Sequence, residues 1–414
     1  MTDQSSPPNA APDALYREAL EQVAAHDMER ALALLTQAAE AGHAPSRIEA
    51  ARMLLYGVGC PPDPAGAVHW LRLAEAQGDA GASYYLALIA VGNLALPRDA
   101  DLDRRVLACV QRRHVPSLRA AAIHFGRKPH AADQALCVQL LEDAAAGGDA
   151  ICALLLAERL ERGEGVMADA AAAADIRMQL QQAGVAPLPA IEAPPPQHPS
   201  GSARSLDLRD VLFTPTVDMR SDKPRVGVID GLLSADECRF LVACARPALR
   251  DSQTVDPETG LPVRMPIRTS SDANFDPIQE DLALRLLQLR IAAATGMELV
   301  HGEPLVILRY APGEQYRPHR DYVPPGSIER DRPHAGNRAR TVCVYLNTVE
   351  AGGETEFPVA ALRVSPAPGR AVVFDNLHPN GQPDPDSLHA GLPVQHGEKW
   401  LATIWLRQRA YRAY

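Results

Sequence analysis

The first half of the chain has the hydrophobic pattern of stacked amphipathic helices. From Ala14 to about Gly184, apolar residues recur at spacings of three and four, which places them on one face of each helix. A repeat is superimposed on this pattern. Gly57-Val-Gly59 and Gly163-Glu-Gly165 are each followed by an aspartate after four residues and a closing glycine after nineteen. Closing glycines 36 residues apart predict an all-α solenoid of stacked helix pairs.

A proline-rich stretch ends the helical pattern. Six prolines fall within residues 185–207, a density that no helix tolerates, so this stretch predicts a partly extended linker. We therefore divide the chain into four parts. These are a polar, disordered tail (residues 1–12), helical repeats (13–184), the linker (185–207) and a second domain (208–414).

After Leu208 the pattern changes to short β-branched and aromatic runs bounded by Gly, Pro or Asn, which predict strands. The runs are Arg225–Ile229, Pro304–Tyr310, Thr341–Leu346, Arg370–Phe374 and Trp400–Trp405. Two helices interrupt them, Ser234–Arg246 with a capping box to Glu237, and Pro277–Thr295. Antiparallel strands with flanking helices predict a jelly-roll, or double-stranded β-helix, so the whole chain is a multidomain protein.

Charge and composition exclude several classes of protein. The net charge of −10 comes mostly from residues 1–207, and the absence of a long basic run argues against nucleic-acid binding. No apolar run approaches the length of a membrane span, and the N-terminus lacks the pattern of a signal peptide. The seven cysteines are scattered without a CxxC motif. Together these features favour a cytoplasmic protein without disulfide bonds.

Candidate chemistry lies just after the run Pro304–Tyr310. His319 and Asp321 are two residues apart, so in a strand they would point to the same face and could share one ion. The candidates for a third ligand are His378 and His389, and we prefer His389 because Lys399 follows it ten residues later. Two imidazoles and one carboxylate are the facial set that holds non-haem Fe(II). A nearby lysine supplies a cation for a dicarboxylate, and the combination points to an oxygenase.

Seven motifs, in order, resemble those of the prolyl 4-hydroxylase family of 2-oxoglutarate/Fe(II) dioxygenases. The resemblance covers about residues 223–409. The motifs are Leu232–Cys238, Arg268–Ser271, Arg309–Tyr322, Arg340–Asn347, Gly352–Pro358, Pro368–Phe374 and His389–Trp405. The helical half resembles Sel1-like repeats, relatives of the tetratricopeptide family. That second resemblance implies about four repeats and a surface for a protein partner.

The resemblance to the hydroxylases implies a role for each matching residue. His319, Asp321 and His389 resemble the iron ligands, and Lys399 resembles the partner of the distal carboxylate of 2-oxoglutarate. Tyr310 and Thr355 resemble residues that contact this co-substrate, and Trp405 resembles an aromatic wall of the site. Arg268 is a candidate contact for the substrate backbone.

The activity implied is hydroxylation of a prolyl residue in a protein or peptide, with release of succinate and CO2. The cofactors implied are Fe(II), 2-oxoglutarate and L-ascorbate, which keeps the iron reduced. Two alternatives stay open. The same core could hydroxylate a free amino acid or small metabolite, or the chain could be a Sel1-repeat scaffold with a non-catalytic oxygenase fold.

Overall fold

A computed structural model describes residues 11–192, 204–255, 262–263, 267–324, 326–328 and 332–414. The chain forms two compact units, residues 1–114 with 413–414, and residues 115–412. The linker predicted for residues 185–207 thus falls within the second unit. Its central part and most of the predicted N-terminal tail lie outside the described residues.

Ten helices of 12 to 16 residues occupy the repeat region within the described residues. They are α1 (Pro12–Ala24), α2 (Met28–Glu40), α3 (Ala44–Tyr56), α4 (Pro64–Ala76), α5 (Ala80–Gly92), α6 (Ala100–Gln111), α7 (Val115–Gly126), α8 (Ala131–Ala146), α9 (Ala150–Arg162) and α10 (Ala170–Gln182). Consecutive helices pack as five pairs, α1 to α6 in the first unit and α7 to α10 in the second. The prediction of about four repeats compares with these five helix pairs. Within residues 13–184, the Gly-x-Gly marker occurs only between α3 and α4 and between α9 and α10.

The spacing of the repeat has a direct structural cause. Asp63 and Asp169 follow the Gly-x-Gly turns and cap α4 and α10, each accepting a backbone N–H through its side chain. The second glycine of each turn approaches a neighbouring helix closely. A Cβ on Gly59 would stand 2.5 Å from the backbone of Met28, and one on Gly165 would stand 2.6 Å from the carbonyl oxygen of Gln134. The turn therefore requires glycine at this position in both copies.

The C-terminal part of the second unit contains sixteen strands among its described residues. They are β1 (Asp218–Asp222), β2 (Arg225–Ile229), β3 (Arg250–Asp251), β4 (Thr254–Val255), β5 (Pro262–Val263), β6 (Ser271–Phe275), β7 (Leu305–Tyr310), β8 (Tyr316–His319), β9 (Arg338–Tyr345), β10 (Ala351–Gly352), β11 (Thr355–Phe357), β12 (Leu362–Val364), β13 (Ala371–Asp375), β14 (His389–Gly391), β15 (Val394–His396) and β16 (Lys399–Arg407). All five predicted strands are present as β2, β7, β9, β13 and β16.

These strands build two main antiparallel sheets. The eight-stranded sheet has the order β1-β2-β13-β9-β16-β7-β6-β3, and the four-stranded sheet has the order β12-β11-β14-β8. Two small pairs, β10-β15 and β4-β5, complete the set. One hydrophobic cluster joins the two main sheets, with Val306, Leu308 and Phe374 on the large sheet and Phe357 and Val364 on the small one. This is the predicted double-stranded β-helix with flanking helices.

Two further helices, α11 (Ala235–Ala245) and α12 (Leu282–Ala293), pack on the large sheet against β6, β7 and β16. The capping box predicted between Ser234 and Glu237 is present at the start of α11. The second helix begins later than predicted, because Asp281 rather than a residue near Pro277 caps its first turn. No helix in the described part of the chain is long and apolar enough to cross a membrane.

Candidate metal and co-substrate site

Two histidines meet where neighbouring strands of the small sheet run side by side. His319 is the last residue of β8 and His389 the first of β14, and the antiparallel register pairs them directly. Their ring centroids are 4.3 Å apart. The sequence preference for His389 over His378 agrees with this placement, because the side chain of His378 is exposed and lies beside Asp384.

The carboxylate of Asp321 completes the cluster from outside the strand. One of its oxygens, Oδ1, lies 3.6 Å from His319 Nε2, and Oδ2 lies 3.7 Å from His389 Nε2. The three possible ligand atoms lie within 4.8 Å of one another, and no other such group occurs among the described residues. The expectation that a strand aligns His319 and Asp321 was wrong, because β8 ends at His319. Asp321 reaches the site through the turn that follows.

Backbone carbonyls orient both imidazoles. The Nδ1 atom of His389 lies 3.0 Å from the carbonyl oxygen of Ser387, and that of His319 lies 2.8 Å from the carbonyl oxygen of Arg317. A carbonyl only accepts, so Nδ1 carries the proton in each ring and Nε2 keeps a free lone pair. Tyr316 stacks on the His319 ring with 3.4 Å between centroids, which further restricts that ring. Both Nε2 atoms are thereby directed towards Asp321.

The electrostatics of the cluster suit a divalent metal. Burial lowers the pKa of His389 to about 4, with a smaller contribution from His319, so the ring is neutral near pH 7. Burial opposes ionisation of Asp321, but His389 and His319 outweigh it and hold the pKa of the carboxyl well below its usual value. The cluster therefore offers the imidazoles of His319 and His389 and one anionic carboxylate. This donor set fits Fe(II), which binds imidazole and carboxylate ligands and keeps other positions open.

Lys399 supplies a buried cation in the same cleft. It begins β16 opposite Tyr310 and is only 2 % exposed. Its Nζ lies 5.2 Å from the ring centroid of Tyr310 and 5.4 Å from that of Tyr345. No ion pair joins Lys399 to an acidic side chain within the described residues, and burial lowers the pKa of its ammonium to about 8. A Cβ on Gly391 would stand 3.7 Å from Nζ, so the glycine leaves room beside the ammonium.

The remaining predicted site residues line the same cleft. Tyr310, Thr355, Trp405 and Arg268 all face it, together with the three candidate ligands and Lys399. Burial raises the pKa of the Tyr310 phenol above its usual value, so the phenol stays neutral and can donate. Arg268 is held by Ser270 and Asp272. The structure thus brings every predicted site residue together, and their individual roles stay predictions.

Sequence reasoning did not assign a site role to three residues of β9, one that lines the cleft and two that contact residues of the site. Cys343 lines it, and the hydroxyl of Tyr345 lies 2.6 Å from Thr355 Oγ1 and 2.9 Å from the carbonyl oxygen of Val364. Thr341, on the same face, contacts Asp321. The alternation of side chains along a strand was the available signal, since it places residues 341, 343 and 345 on one face.

Comparisons with known proteins agree with this site. The model of the 2OG-Fe(II) oxygenase superfamily matches residues 305–407, and the model of the Sel1 repeat matches residues 15–43, 44–79 and 150–175. Probable prolyl 4-hydroxylase 10 of Arabidopsis thaliana is 35% identical over 47% of this chain and 73% of its own length. Prolyl 4-hydroxylase 1 of the same plant is 37% identical over 45% of this chain and 70% of its own length.

Among solved structures, the viral collagen prolyl hydroxylase from Paramecium bursaria Chlorella virus-1, in complex with 2-oxoglutarate, is 28% identical to this chain. The match covers 44% of this chain and 95% of the viral protein, with a TM-score of 0.35. The match to the oxygenase family model, residues 305–407, includes the three residues of the cluster and Lys399. With Sel1 repeats in its N-terminal part, the chain belongs to the prolyl 4-hydroxylase family of 2-oxoglutarate- and Fe(II)-dependent oxygenases.

Proposed function

We propose that this protein is a 2-oxoglutarate- and Fe(II)-dependent dioxygenase that hydroxylates a prolyl residue of a protein or peptide. The observation that carries the proposal is the convergence of His319, Asp321, His389 and Lys399 on one cleft. Two imidazoles and a carboxylate provide a metal site with open positions, and a buried ammonium provides a partner for a dicarboxylate. The curated relatives with matching sequence are named as prolyl 4-hydroxylases, which favours a prolyl target.

The protein's own residues hold the reactants in place. When bound, Fe(II) and 2-oxoglutarate supply the oxidising chemistry, in which O2 is consumed and succinate and CO2 are released. His319, Asp321 and His389 hold the metal, and the Nδ1 contacts fix the two rings in the ligating orientation. The apolar walls of the cleft, Leu308 and Leu401, exclude water from the reacting atoms.

At the base of the cleft, Lys399 binds the distal carboxylate of 2-oxoglutarate through a charge-assisted hydrogen bond. The buried ammonium forms no ion pair with an acidic side chain among the described residues, so the incoming carboxylate meets a cation that is already in place. Thr355 and Tyr310 donate to the same co-substrate from β11 and β7. Only a ligand whose carboxylate extends to the ammonium of Lys399 can form this hydrogen bond.

At the mouth of the cleft, Arg268 and Trp405 contact the substrate. Trp405 Nε1 is buried and has no hydrogen-bond partner within the described structure. A buried donor without a partner costs free energy, which a backbone carbonyl of a bound peptide would recover. Arg268 lies over the ring of Tyr316 and can donate to the same backbone.

Succinate release tests the proposal. The purified protein is incubated with Fe(II), ascorbate, O2 and 2-oxoglutarate, with and without proline-containing peptides, and the peptides are analysed by mass spectrometry. We expect peptide-stimulated succinate and a gain of one oxygen on proline. His389→Ala should abolish both, whereas His378→Ala, which changes an exposed histidine on the same segment, should retain them. Turnover without any modified peptide would contradict the prolyl assignment.

Loss of turnover on omitting ascorbate would support ascorbate as the reductant.

We also propose a reducing, cytoplasmic compartment and a protein partner on the repeats. All seven cysteines are free, and five of them are buried, as expected where disulfides do not form.

In the second unit, α7 and α9 already pack against α11 and α12, so we place the partner on α1 to α6. Cross-linking in cells followed by mass spectrometry tests the placement. Cross-links confined to α7 to α10 would contradict it.

A further inference from the structure

A short chain of hydrogen bonds runs from the interior of the large sheet to the candidate metal ligand Asp321. Thr341 Oγ1 donates to Asp321 Oδ2 at 2.8 Å, and Asn376 Nδ2 donates to Thr341 Oγ1 at 2.8 Å. Thr341 lies on β9 and Asn376 directly follows β13, and both side chains are fully buried. Neither residue lines the cleft.

The two hydrogen bonds run in one direction, from Asn376 through Thr341 to Asp321. A threonine hydroxyl has one proton, and the amide of Asn376 occupies a lone pair of its oxygen. The proton is therefore available only to Asp321. Threonine is branched at Cβ, so its χ1 angle and the position of Oγ1 are restricted by the strand, whereas the direction of the proton is set by the Asn376 amide.

Asp321 needs such support because no ladder of strand hydrogen bonds holds it. The strand β8 ends at His319, two residues before the carboxylate. We infer that Thr341, oriented by Asn376, is a positioning residue that occupies Asp321 Oδ2 and so presents Oδ1 as a single ligand atom to the metal. This inference rests on the proposed metal site.

Binding of Mn²⁺, measured by calorimetry on the full chain, tests the inference. Thr341→Val keeps the shape of the side chain and removes only the hydroxyl. Losing a partner of a ligating carboxylate typically weakens metal binding by about 10- to 100-fold, and we expect a loss in this range. Thr341→Ser restores the hydroxyl and should recover most of the affinity. Asn376→Ala should give a smaller loss, because the hydroxyl remains but its direction is less restricted.

The matched control is Thr403→Val, the same change on neighbouring β16. Thr403 Oγ1 lies 3.6 Å from Cys343 Sγ and does not contact Asp321, so this variant should bind Mn²⁺ like the parent. Thermal unfolding without metal should be similar for the two valine variants. Equal Mn²⁺ affinity of Thr341→Val and the parent would overturn the inference while leaving the proposed function standing. A parent chain that binds no Mn²⁺ would overturn both.

Discussion

At the scale of single residues, Lys399 shows most clearly how this site trades stability for function. An ammonium 2 % exposed and without an acidic partner in the described structure is costly to bury, and the lowering of its pKa to about 8 expresses that cost. A bound dicarboxylate would remove the cost. The sequence identified Lys399 by its spacing from His389, because motif spacing is local. Its burial depends on β7 and β9, which lie far away in the chain.

Replacing Lys399 by Met should therefore stabilise the protein in the absence of co-substrate. Below pH 8 both the folded and the unfolded lysine are charged, so the full cost of burial applies, on the order of 3 kcal/mol. Between pH 8 and about 10.5 the unfolded state binds more protons, so the parent gains stability as the pH rises. Urea unfolding at pH 7 and pH 10 measures the difference, which should shrink at the higher pH. A variant less stable than the parent at pH 7 would contradict the prediction.

The same pKa predicts how co-substrate binding responds to pH. Only the ammonium form of Lys399 pairs with the carboxylate, so the affinity for 2-oxoglutarate should be constant well below pH 8. Above pH 8 it should fall by about tenfold per pH unit until the binding energy no longer depends on the cation. Titration of 2-oxoglutarate into the Mn²⁺-loaded protein from pH 6.5 to 9.5 measures this. Lys399→Met should bind weakly and show no such decline, and an equal decline in that variant would assign it to another group.

At the scale of elements, the five central strands of the large sheet were predictable, and the small sheet was not. Long β-branched runs revealed β7, β9, β13 and β16 because these strands are buried on both faces. The strands β8, β11, β12 and β14 have only three or four residues each and include polar side chains. Hydrophobic periodicity cannot detect strands of that length, although two of them carry the histidines. Motif resemblance located the ligands where the hydrophobic pattern gave no signal.

The hydroxyl of Tyr345 connects the two sheets, since it links β9 of the large sheet to β11 and β12 of the small one. Tyr345→Phe leaves the carbonyl of Val364 and the hydroxyl of Thr355 without this buried partner. We expect a loss of about 1–3 kcal/mol in stability and weaker 2-oxoglutarate binding, because Thr355 is less restrained. Chemical denaturation and a co-substrate titration measure both. Unchanged binding in a destabilised variant would show that Thr355 does not contact the co-substrate.

At the scale of the whole molecule, buried ion pairs join the repeat helices of the second unit to its oxygenase part. Arg159 on α9 donates through Nε to Asp236 at 2.8 Å, and Arg119 on α7 donates to Asp281 at 2.6 Å. Two residues of the predicted linker are also held by hydrogen bonds. Arg239 donates to the carbonyl oxygen of Ile191, and Lys128 donates to the carbonyl oxygen of Ser205. The sequence did not predict these ion pairs, since partners 77 and 162 residues apart leave no local pattern.

Arg159→Met tests this packing. It leaves the buried carboxylate of Asp236 with Arg239 as its remaining partner, so we expect a loss of about 3 kcal/mol in the stability of the second unit. The control Arg363→Met removes a partly exposed pair with Glu356 in the same unit and should cost less than about 1 kcal/mol. Urea unfolding, followed by Trp400 and Trp405 fluorescence in a Trp70→Phe background, measures both. Equal losses would contradict a structural role for the Arg159 pair.

We propose that this chain incorporates molecular oxygen with 2-oxoglutarate as co-substrate. The most direct test is turnover under 18O2 with Fe(II), 2-oxoglutarate and a responsive proline-containing peptide, followed by mass spectrometry of both products. We expect one labelled oxygen atom in succinate and one in the hydroxylated prolyl residue, with neither product formed by His389→Ala. Succinate and peptide that both lack the label would contradict it.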